Sequence, residues 1–401
     1  VARANSPVVG IPANNNFYTA SNFFGGGSDL GSNSYVVFNS CCGSSVTLNG
    51  LSAGTTYHFW VFEYNSSGGS ILYNTSTDTG NPSSRSTLAN EPSFQASNIT
   101  FSSVTINSAT VNWTNGGGTE RLVVASNTGS IFNFPVDGTS YTGNNNYTLA
   151  TDLGTEHRVV YRGAGTSVNV TNLQSNIQYA FQVFELNGTG TASNYATFTN
   201  TNNPKTRFTL TAEPTLQATN LTFPIVNDNS MQVNWVSGNG TQRLIVASTG
   251  AAVSQFPLDG VTYNAISFLG NGTSLGSGNF VVYQSSGNSF LVTNLAPATT
   301  YHFRVFEQNG SGESSNFFTP VATNNPMSRI TLSSEPFAHA GSFTATQAGT
   351  NQINLAFSAA STVTGAAGYI ILRRQDGANP TSSGIVDGLA APSTPTAGTT
   401  L

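Results

Sequence analysis

The amino-acid sequence repeats itself with a period of 122 residues, and no other feature limits the fold as much. Tyr57, Tyr179 and Tyr301 are separated by this interval. The segments RLVVAS (121–126) and RLIVAS (243–248) keep the same spacing. An Arg-x-Thr-Leu sequence follows each of the three tyrosines at a constant distance. Constant spacing of so many landmarks indicates one structural unit copied in tandem.

The register divides the chain into four segments. Residues 89–210 and 211–332 each form a complete repeat. Residues 1–88 correspond to the C-terminal part of a repeat, and residues 333–401 correspond to the N-terminal part. We therefore expect the chain to be a portion of a longer protein.

Apolar residues alternate with polar ones inside each repeat, which predicts β-strands. Val111 and Trp113 fall on one face of a strand, and Tyr179, Phe181 and Val183 fall on one face of another. Clusters of Gly, Asn, Ser and Thr separate these short strands. The pattern predicts an all-β protein made of tandem β-sandwiches.

The segment 294–312 resembles the penultimate strand of a fibronectin type III domain, because Leu295, Pro297 and Tyr301 precede alternating apolar residues. The tryptophan of that family's second strand matches Trp113 and Trp235. The resemblance implies immunoglobulin-like β-sandwiches in which a tyrosine hydroxyl hydrogen-bonds to nearby backbone, the tyrosine corner. The residues it assigns to that role are Tyr57, Tyr179 and Tyr301.

The repeat is longer than a usual domain of this family. The additional residues form what we call the excursion, residues 127–158 and 249–280 in the two complete repeats. We expect the excursion to connect the third and fifth strands. Extended modules of this kind are similar to repeats in large exported surface proteins of Bacteroidota, which implies an extracellular or cell-surface location.

The charge of the chain is unusually low and argues against several classes of partner. Charged residues make up 7% of the sequence, the net charge is −5, and Lys205 is the one lysine. An ordinary soluble protein has about 25% charged residues. Without a basic stripe, binding to nucleic acid is not expected. No apolar run is long enough to predict a membrane span.

A glutamate closes the sequence Val-Phe-Glu in each copy, at Glu63, Glu185 and Glu307. The alternation places it on the inward face, where an unpaired carboxylate is costly. Arg121 and Arg243 open the neighbouring third strand. We therefore expect Glu185 to pair with Arg121 and Glu307 with Arg243, in a structural role rather than in ligand binding or catalysis. For Glu63, the closing residue of a long core strand, the partner would precede Val1.

The phenylalanine before each of these glutamates faces the opposite way, at Phe62, Phe184 and Phe306. Two interpretations remain open. The rings pack beneath the excursion, or they line a lateral contact between molecules.

The two cysteines, Cys41 and Cys42, are adjacent. Neighbouring Cα atoms lie about 3.8 Å apart, below the usual disulfide range of about 4.4–6.8 Å. The pair could form a strained bridge, link two chains, or remain as two thiols.

The sequence gives no sign of an enzyme. The four histidines lack the spacing of metal ligands, and no paired carboxylates or nucleophile motif stand out. We expect no catalytic residue, no metal and no cofactor.

These observations favour a structural or adhesive repeat region of an extracellular rod or filament. Its partners would be neighbouring repeats, other copies of itself and surface glycans. The alternatives are a glycan- or protein-binding module, for which the Asn- and Tyr-rich segment 140–148 could grip a sugar, and a spacer region in a large secreted enzyme.

Overall fold

The computed structural model describes residues 1–360, 366, 368–374 and 387. Two compact units are present, Val1–Ala212 and Glu213–Leu401. Much of the predicted fourth segment, at 361–365, 367, 375–386 and 388–401, lies outside the described residues. Within the described residues the regular structure consists of β-strands and three single-turn 3₁₀ helices.

The first unit contains fourteen strands. They are β1 Ala2–Ala4, β2 Thr56–Phe59, β3 Tyr64–Ser67, β4 Ser70–Tyr73, β5 Ser83–Ser86, β6 Ser97–Ser102, β7 Ala109–Thr114, β8 Glu120–Ser126, β9 Thr151–Asp152, β10 His157–Gly163, β11 Ser167–Val170, β12 Gln178–Asn187, β13 Asn194–Tyr195 and β14 Lys205–Phe208. The 3₁₀ helices of this unit are Tyr147–Leu149 and Gly190–Ala192.

The second unit begins with nine strands that follow the order of β6 to β14, and two further strands come after them. Its strands are β15 Thr219–Val226, β16 Ser230–Val236, β17 Gln242–Thr249, β18 Ser274–Gly276, β19 Asn279–Ser285, β20 Ser289–Thr293, β21 Thr300–Asn309, β22 Asn316–Phe318, β23 Met327–Ile330, β24 Gly341–Gly349 and β25 Gln352–Ser358. Its 3₁₀ helix is Gly312–Ser314.

Each complete repeat is a sandwich of two antiparallel sheets. We call residues 89–210 the second repeat and residues 211–332 the third repeat, because residues 1–88 correspond to part of a first. In the second repeat, β11, β7 and β6 form the smaller sheet, while β9, β10, β8, β12 and β13 form the larger one with β14 also paired to β12. The third repeat has the same arrangement, with β15, β16 and β20 opposite β18, β19, β17, β21, β22 and β23. The predicted all-β fold class is confirmed, and the excursion joins the third strand of each repeat to the fifth.

The main core of the second repeat lies between its two sheets. Val111 and Trp113 of β7 meet Tyr179, Phe181 and Val183 of β12, and all five are buried. Alternation places these residues on facing sides of their strands. The equivalent core of the third repeat contains Trp235, Tyr301, Phe303 and Val305.

A second core covers the outer face of the larger sheet. In the second repeat it contains Phe184 and Leu122, against which Ile131, Tyr141 and Leu153 of the excursion pack. Phe306 occupies the same place in the third repeat. The interpretation that these phenylalanines pack beneath the excursion is confirmed for both complete repeats. Because β8 and β12 are covered on both faces, nearly every residue along them is buried.

Residues 1–88 build only a small sheet of β1, β2 and β5, with the hairpin β3–β4 beside it. Strand β1 pairs with Tyr57–Phe59 of β2, and Ala2 is the partner of Phe59. The hairpin β24–β25 stands alone as a two-stranded sheet.

Candidate functional site

The repeated glutamate lies at the end of the longest strand, where the neighbouring third strand begins. The antiparallel register places Glu185 of β12 directly opposite Arg121 of β8. Glu307 of β21 is opposite Arg243 of β17 in the same way. Both carboxylates are completely buried, with 0% exposure.

The carboxylate of Glu185 accepts three hydrogen bonds. Its Oε1 accepts from Arg121 Nε at 2.8 Å and from the backbone N–H of Gly116 at 2.8 Å. Its Oε2 accepts from the backbone N–H of Gly118 at 2.7 Å. Arg121 in turn donates from Nη2 to the carbonyl of Gly118 at 3.0 Å. We call this arrangement the Arg–Glu clamp.

The third repeat reproduces the Arg–Glu clamp with nearly identical distances. Glu307 Oε1 accepts from Arg243 Nε at 2.9 Å and from Gly238 N–H at 2.8 Å, and Oε2 accepts from Gly240 N–H at 2.8 Å. A buried charge is tolerated when such donors surround it. The bonds of each carboxylate are thus used to close the loop between the second and third strands, which leaves it poorly placed to act as an acid or base.

Close approach of the loop to the carboxylate requires glycine. A Cβ atom at Gly118 would lie 2.7 Å from Glu185 Oε2 and 2.8 Å from the backbone nitrogen of Leu186. At Gly240 it would lie 2.6 Å from Glu307 Oε2. These separations are shorter than van der Waals contact, so a larger residue would displace the loop.

Glu63 does not follow its counterparts, and the expectation that it closes a long core strand is wrong. Strand β2 ends at Phe59, and Glu63 lies beyond it as an exposed residue. The backbone carbonyl of Glu63 accepts from the N–H of Asn74 at 2.8 Å. The physical reason is that the N-terminal residues offer backbone partners to this segment only as far as Trp60, which exchanges two hydrogen bonds with Val1.

The hydroxyl groups of the three register tyrosines each accept a hydrogen bond from backbone five residues earlier. Tyr57 accepts from Ser52 N–H at 2.9 Å, and Tyr301 accepts from Ala296 N–H at 2.7 Å. In the second repeat Tyr179 accepts from Gln174 N–H at 3.0 Å. Burial raises the pKa of Tyr179. This is the geometry of a tyrosine corner.

The two register tryptophans pack edge-on against a tyrosine of the fifth strand. Trp113 meets Tyr161 with ring centroids 5.4 Å apart, and Trp235 meets Tyr283 at 5.3 Å. Both indoles belong to the main cores.

The buried side-chain amides of Gln95 and Asn203 bond to the backbone of β12. The sequence pattern did not point to either residue. The Gln95 Oε1 atom accepts from Glu185 N–H at 2.8 Å, and its Nε2 donates to Ala196 O at 2.6 Å. The Asn203 side chain bonds to both backbone groups of Val183. Gln217 and Asn325 repeat these bonds in the next copy. Gln95 and Gln217 are 122 residues apart, as are Asn203 and Asn325, and this spacing was the sequence signal that could have identified them.

A cleft of about 310 Å³ opens on the second repeat beside its tyrosine corner. Arg158 Nη2 lies 3.2 Å from Glu156 Oε1 and 3.6 Å from Asp152 Oδ2, and the bond to Glu156 raises the pKa of the guanidinium. The lining residues are Asn127, Tyr147, Thr148, Glu156, Arg158, Asn172, Gln174 and Tyr179.

The segment 140–148 contributes little free surface to this cleft. Tyr147 is only 4% exposed, and its hydroxyl donates to Glu156 O at 2.8 Å, so its ring is not available for stacking on a sugar. Tyr141 packs in the second core instead. The expectation that the tyrosines of this segment grip a sugar is therefore wrong for Tyr147, because its ring is already covered, whereas Tyr141 remains partly exposed.

Cys41 and Cys42 are free and exposed. Their Sγ atoms lie 2.8 Å apart, against about 2.05 Å for a disulfide bond. The hydrogen bond with Cys41 raises the pKa of the Cys42 thiol.

Among the described residues, no group of three His, Cys, Asp or Glu side chains is arranged to hold a metal ion. The same residues include no helix long and apolar enough to cross a membrane.

No family model matches the sequence, and no curated protein matches it. Several solved structures resemble the fold. A segment of two fibronectin type III domains from chicken tenascin has 12% identity and a TM-score of 0.21, and the match covers 56% of this chain and 99% of that one. The FN1–FN3 domains of chicken CNTN1 have 13% identity and a TM-score of 0.29, with 70% and 77% covered. The central fibronectin-III array of RIM-binding protein has 9% identity and a TM-score of 0.18, with 66% and 79% covered.

Because these likenesses are slight, the fold assignment rests on the strands themselves. Three strands face a larger sheet in each complete repeat, and a buried tyrosine anchors the turn before the long strand. The chain is an all-β protein built of tandem fibronectin type III-like β-sandwiches, each with an enlarged excursion.

Proposed function

We propose that this chain is a structural or adhesive repeat region of an extracellular or cell-surface rod or filament. Its segments would be 1–88, 89–210, 211–332 and 333–401. Each strand ladder joins strands of one segment, which supports this division. Each Arg–Glu clamp likewise joins residues of a single segment.

The observation that carries the proposal is the bonding of Ala89 and Asn90, the first two residues after the boundary at Leu88. Ala89 N–H donates to Ala192 O at 2.9 Å, and Asn194 Nδ2 donates to Ala89 O at 2.8 Å. Asn187 Nδ2 donates to Asn90 O at 2.9 Å. Because the residues directly after Leu88 are bonded to the hairpin of β12 and β13, the boundary between the first two segments resists bending, as an array under tension requires.

The surface chemistry agrees with close lateral packing. With 7% charged residues, the repulsion between neighbouring molecules is weak. Copies of the same chain are therefore suitable partners in a fibre.

Single-molecule stretching of the chain tests the mechanical role. Unfolding of the two complete repeats should give two separate steps of roughly 40 nm each, from the extended length of 122 residues. A chain that yields at the lowest measurable force, without discrete steps, would contradict a mechanical role. The double variant Asn187→Ala and Asn194→Ala should keep both steps but broaden the distribution of end-to-end distances before unfolding.

Location is tested separately by brief proteolysis of intact cells that produce the protein. Release of peptides from this chain, with a cytoplasmic marker protein left intact, is the expected result. Full resistance in intact cells together with digestion after lysis would refute the surface location.

The cleft of the second repeat favours binding of a neutral glycan as a second candidate function. At its register positions the third repeat has Leu269 and Phe280 in place of Tyr147 and Arg158, and these apolar side chains join the main core. The polar lining is thus not required by the fold. Arg158 is balanced by two carboxylates, so the cleft has no excess positive charge to attract an anion.

A glycan array probed with a multivalent form of the chain tests this candidate. Binding should be lost in the variant Arg158→Phe, which introduces the residue of the third repeat. Array binding that survives in this variant would place the glycan elsewhere, and absence of binding would leave the structural role alone.

A further inference from the structure

The turn that contains Cys41 and Cys42 is closed without sulphur in both complete repeats. The corresponding turn is Gly163-Ala164-Gly165 in the second repeat and Ser285-Ser286-Gly287 in the third, one residue shorter than in the first segment. The fold therefore does not need these thiols. They are also the only two cysteines of the chain.

The two side chains are positioned to react with each other and with reagents dissolved in the solvent. Both residues are exposed, and their Sγ atoms are 2.8 Å apart. Cys42 N–H donates to Ser40 Oγ at 3.3 Å, a bond that helps to define the turn. A thiol oxidised at this place would have its partner already within reach.

A bridge between neighbouring residues would not act as a structural staple. Disulfides stabilise mainly by closing loops in the unfolded chain, and the loop here is the smallest one that a chain can form. The Cα spacing of about 3.8 Å lies below the usual range, and the resulting strain makes such a bond easy to reduce. Strained, exposed disulfides are the labile ones.

We propose that Cys41 and Cys42 form a reversible two-electron redox site, oxidised by a hydroperoxide and reduced by a small thiol. The Cys41 thiolate attacks the peroxide oxygen, the O–O bond breaks, and a sulfenic acid and one water result from hydrogen peroxide. The Cys42 sulphur then attacks the sulfenic sulphur, forms the S–S bond and releases a second water. In total, two thiols and one hydrogen peroxide give one disulfide and two waters. Two molecules of glutathione return both thiols and become glutathione disulfide.

The roles of the two cysteines follow from their contact. The hydrogen bond with Cys41 raises the pKa of the Cys42 thiol, because it stabilises the protonated form, so Cys42 keeps its proton longer. Thiolate is the attacking form, which assigns the first step to Cys41 and the resolving step to Cys42.

Alkylation followed by intact-protein mass spectrometry tests the proposal on the full 401-residue chain. The reduced chain should take up two alkyl groups. After one equivalent of hydrogen peroxide it should take up none and remain monomeric, with the loss of two hydrogens. Glutathione should restore both alkylation sites.

The variants Cys42→Ser and Cys41→Ser provide matched controls. Cys42→Ser should accumulate a sulfenic acid at Cys41, trapped by dimedone, which the unmodified chain does not retain. The double serine variant should show an unchanged thermal unfolding transition, because the other repeats close this turn without sulphur.

Three results would overturn the proposal. They are two alkylatable thiols after peroxide, a disulfide-linked dimer as the main oxidised product, or an internal bridge that glutathione fails to reduce. The last result would identify a permanent bridge rather than a reversible site.

Discussion

The substitution Glu185→Gln measures how much the Arg–Glu clamp stabilises the second repeat. Glutamine keeps the size of the side chain and one oxygen, but its NH₂ group would face the N–H of Gly118 in place of Oε2. The change also leaves the guanidinium of Arg121, a residue that is 6% exposed, without its counter-charge. Removing one partner of a buried ion pair costs about 3–5 kcal/mol of unfolding free energy, and we expect a loss of this size.

The chain supplies its own controls for this experiment. Glu63→Gln changes the same register position where the side chain is exposed, and should alter stability by less than about 0.5 kcal/mol. Glu307→Gln should destabilise the third repeat by as much as Glu185→Gln destabilises the second. Hydrogen exchange followed by mass spectrometry separates the two repeats, because β8 and β12 give different peptides from β17 and β21.

A double-mutant cycle isolates the pair itself. Arg121→Met combined with Glu185→Gln should destabilise the repeat by about 1–3 kcal/mol less than the sum of the single changes, because neither partner is left as an unpaired charge. Additive effects, or a Glu185→Gln variant as stable as Glu63→Gln, would refute the view that the buried pair holds the loop in place.

Three further expectations concern the loop, the second core and pH. Gly118→Ala should lower the unfolding free energy measured by hydrogen exchange of β8 by about 1–3 kcal/mol. Gly117→Ala should lower it less, because its added Cβ would first meet the Phe94 side chain at 3.1 Å. Equal losses would refute the argument that the loop must approach the carboxylate closely. Phe184→Ala should destabilise the second repeat by about 3–5 kcal/mol in urea unfolding, and a loss below about 1 kcal/mol would show that the second core contributes little. Burial raises the pKa of Asp259, so the ionised form is disfavoured by folding and stability should fall as pH rises through the folded-state pKa. Asp259→Asn should remove that fall in thermal melts from pH 3 to 7, and an unchanged pH profile would refute the assignment.

Strand positions and several side-chain partners were accessible from the sequence because they depend on short-range geometry. Alternation along a strand sets which residues share a face, and antiparallel pairing sets which ends meet. These two rules were enough to predict that Arg121 and Glu185 would be neighbours. The repeat then supplied an independent second example at Arg243 and Glu307.

Glu63 shows where this reasoning fails. The same three-residue sequence is buried and paired in two copies but exposed in the first, because a strand needs a neighbour to continue. The residue type is the same in all three copies, whereas the burial of its side chain depends on which strands and loops surround it.

The sequence by itself determined the period, the all-β class and the register of the two clamp pairs, and the resemblance to fibronectin type III domains implied the tyrosine corners. Only the tertiary structure decided that Gln95 and Asn203 bridge strands of the core, that Tyr147 is buried beside a cleft, and that Cys41 and Cys42 stand free in an exposed turn. The physical reason is that alternation and turn chemistry act over a few residues. Packing and hydrogen-bond saturation join groups up to about a hundred positions apart, such as Asn203 and Ala96, which are 107 apart.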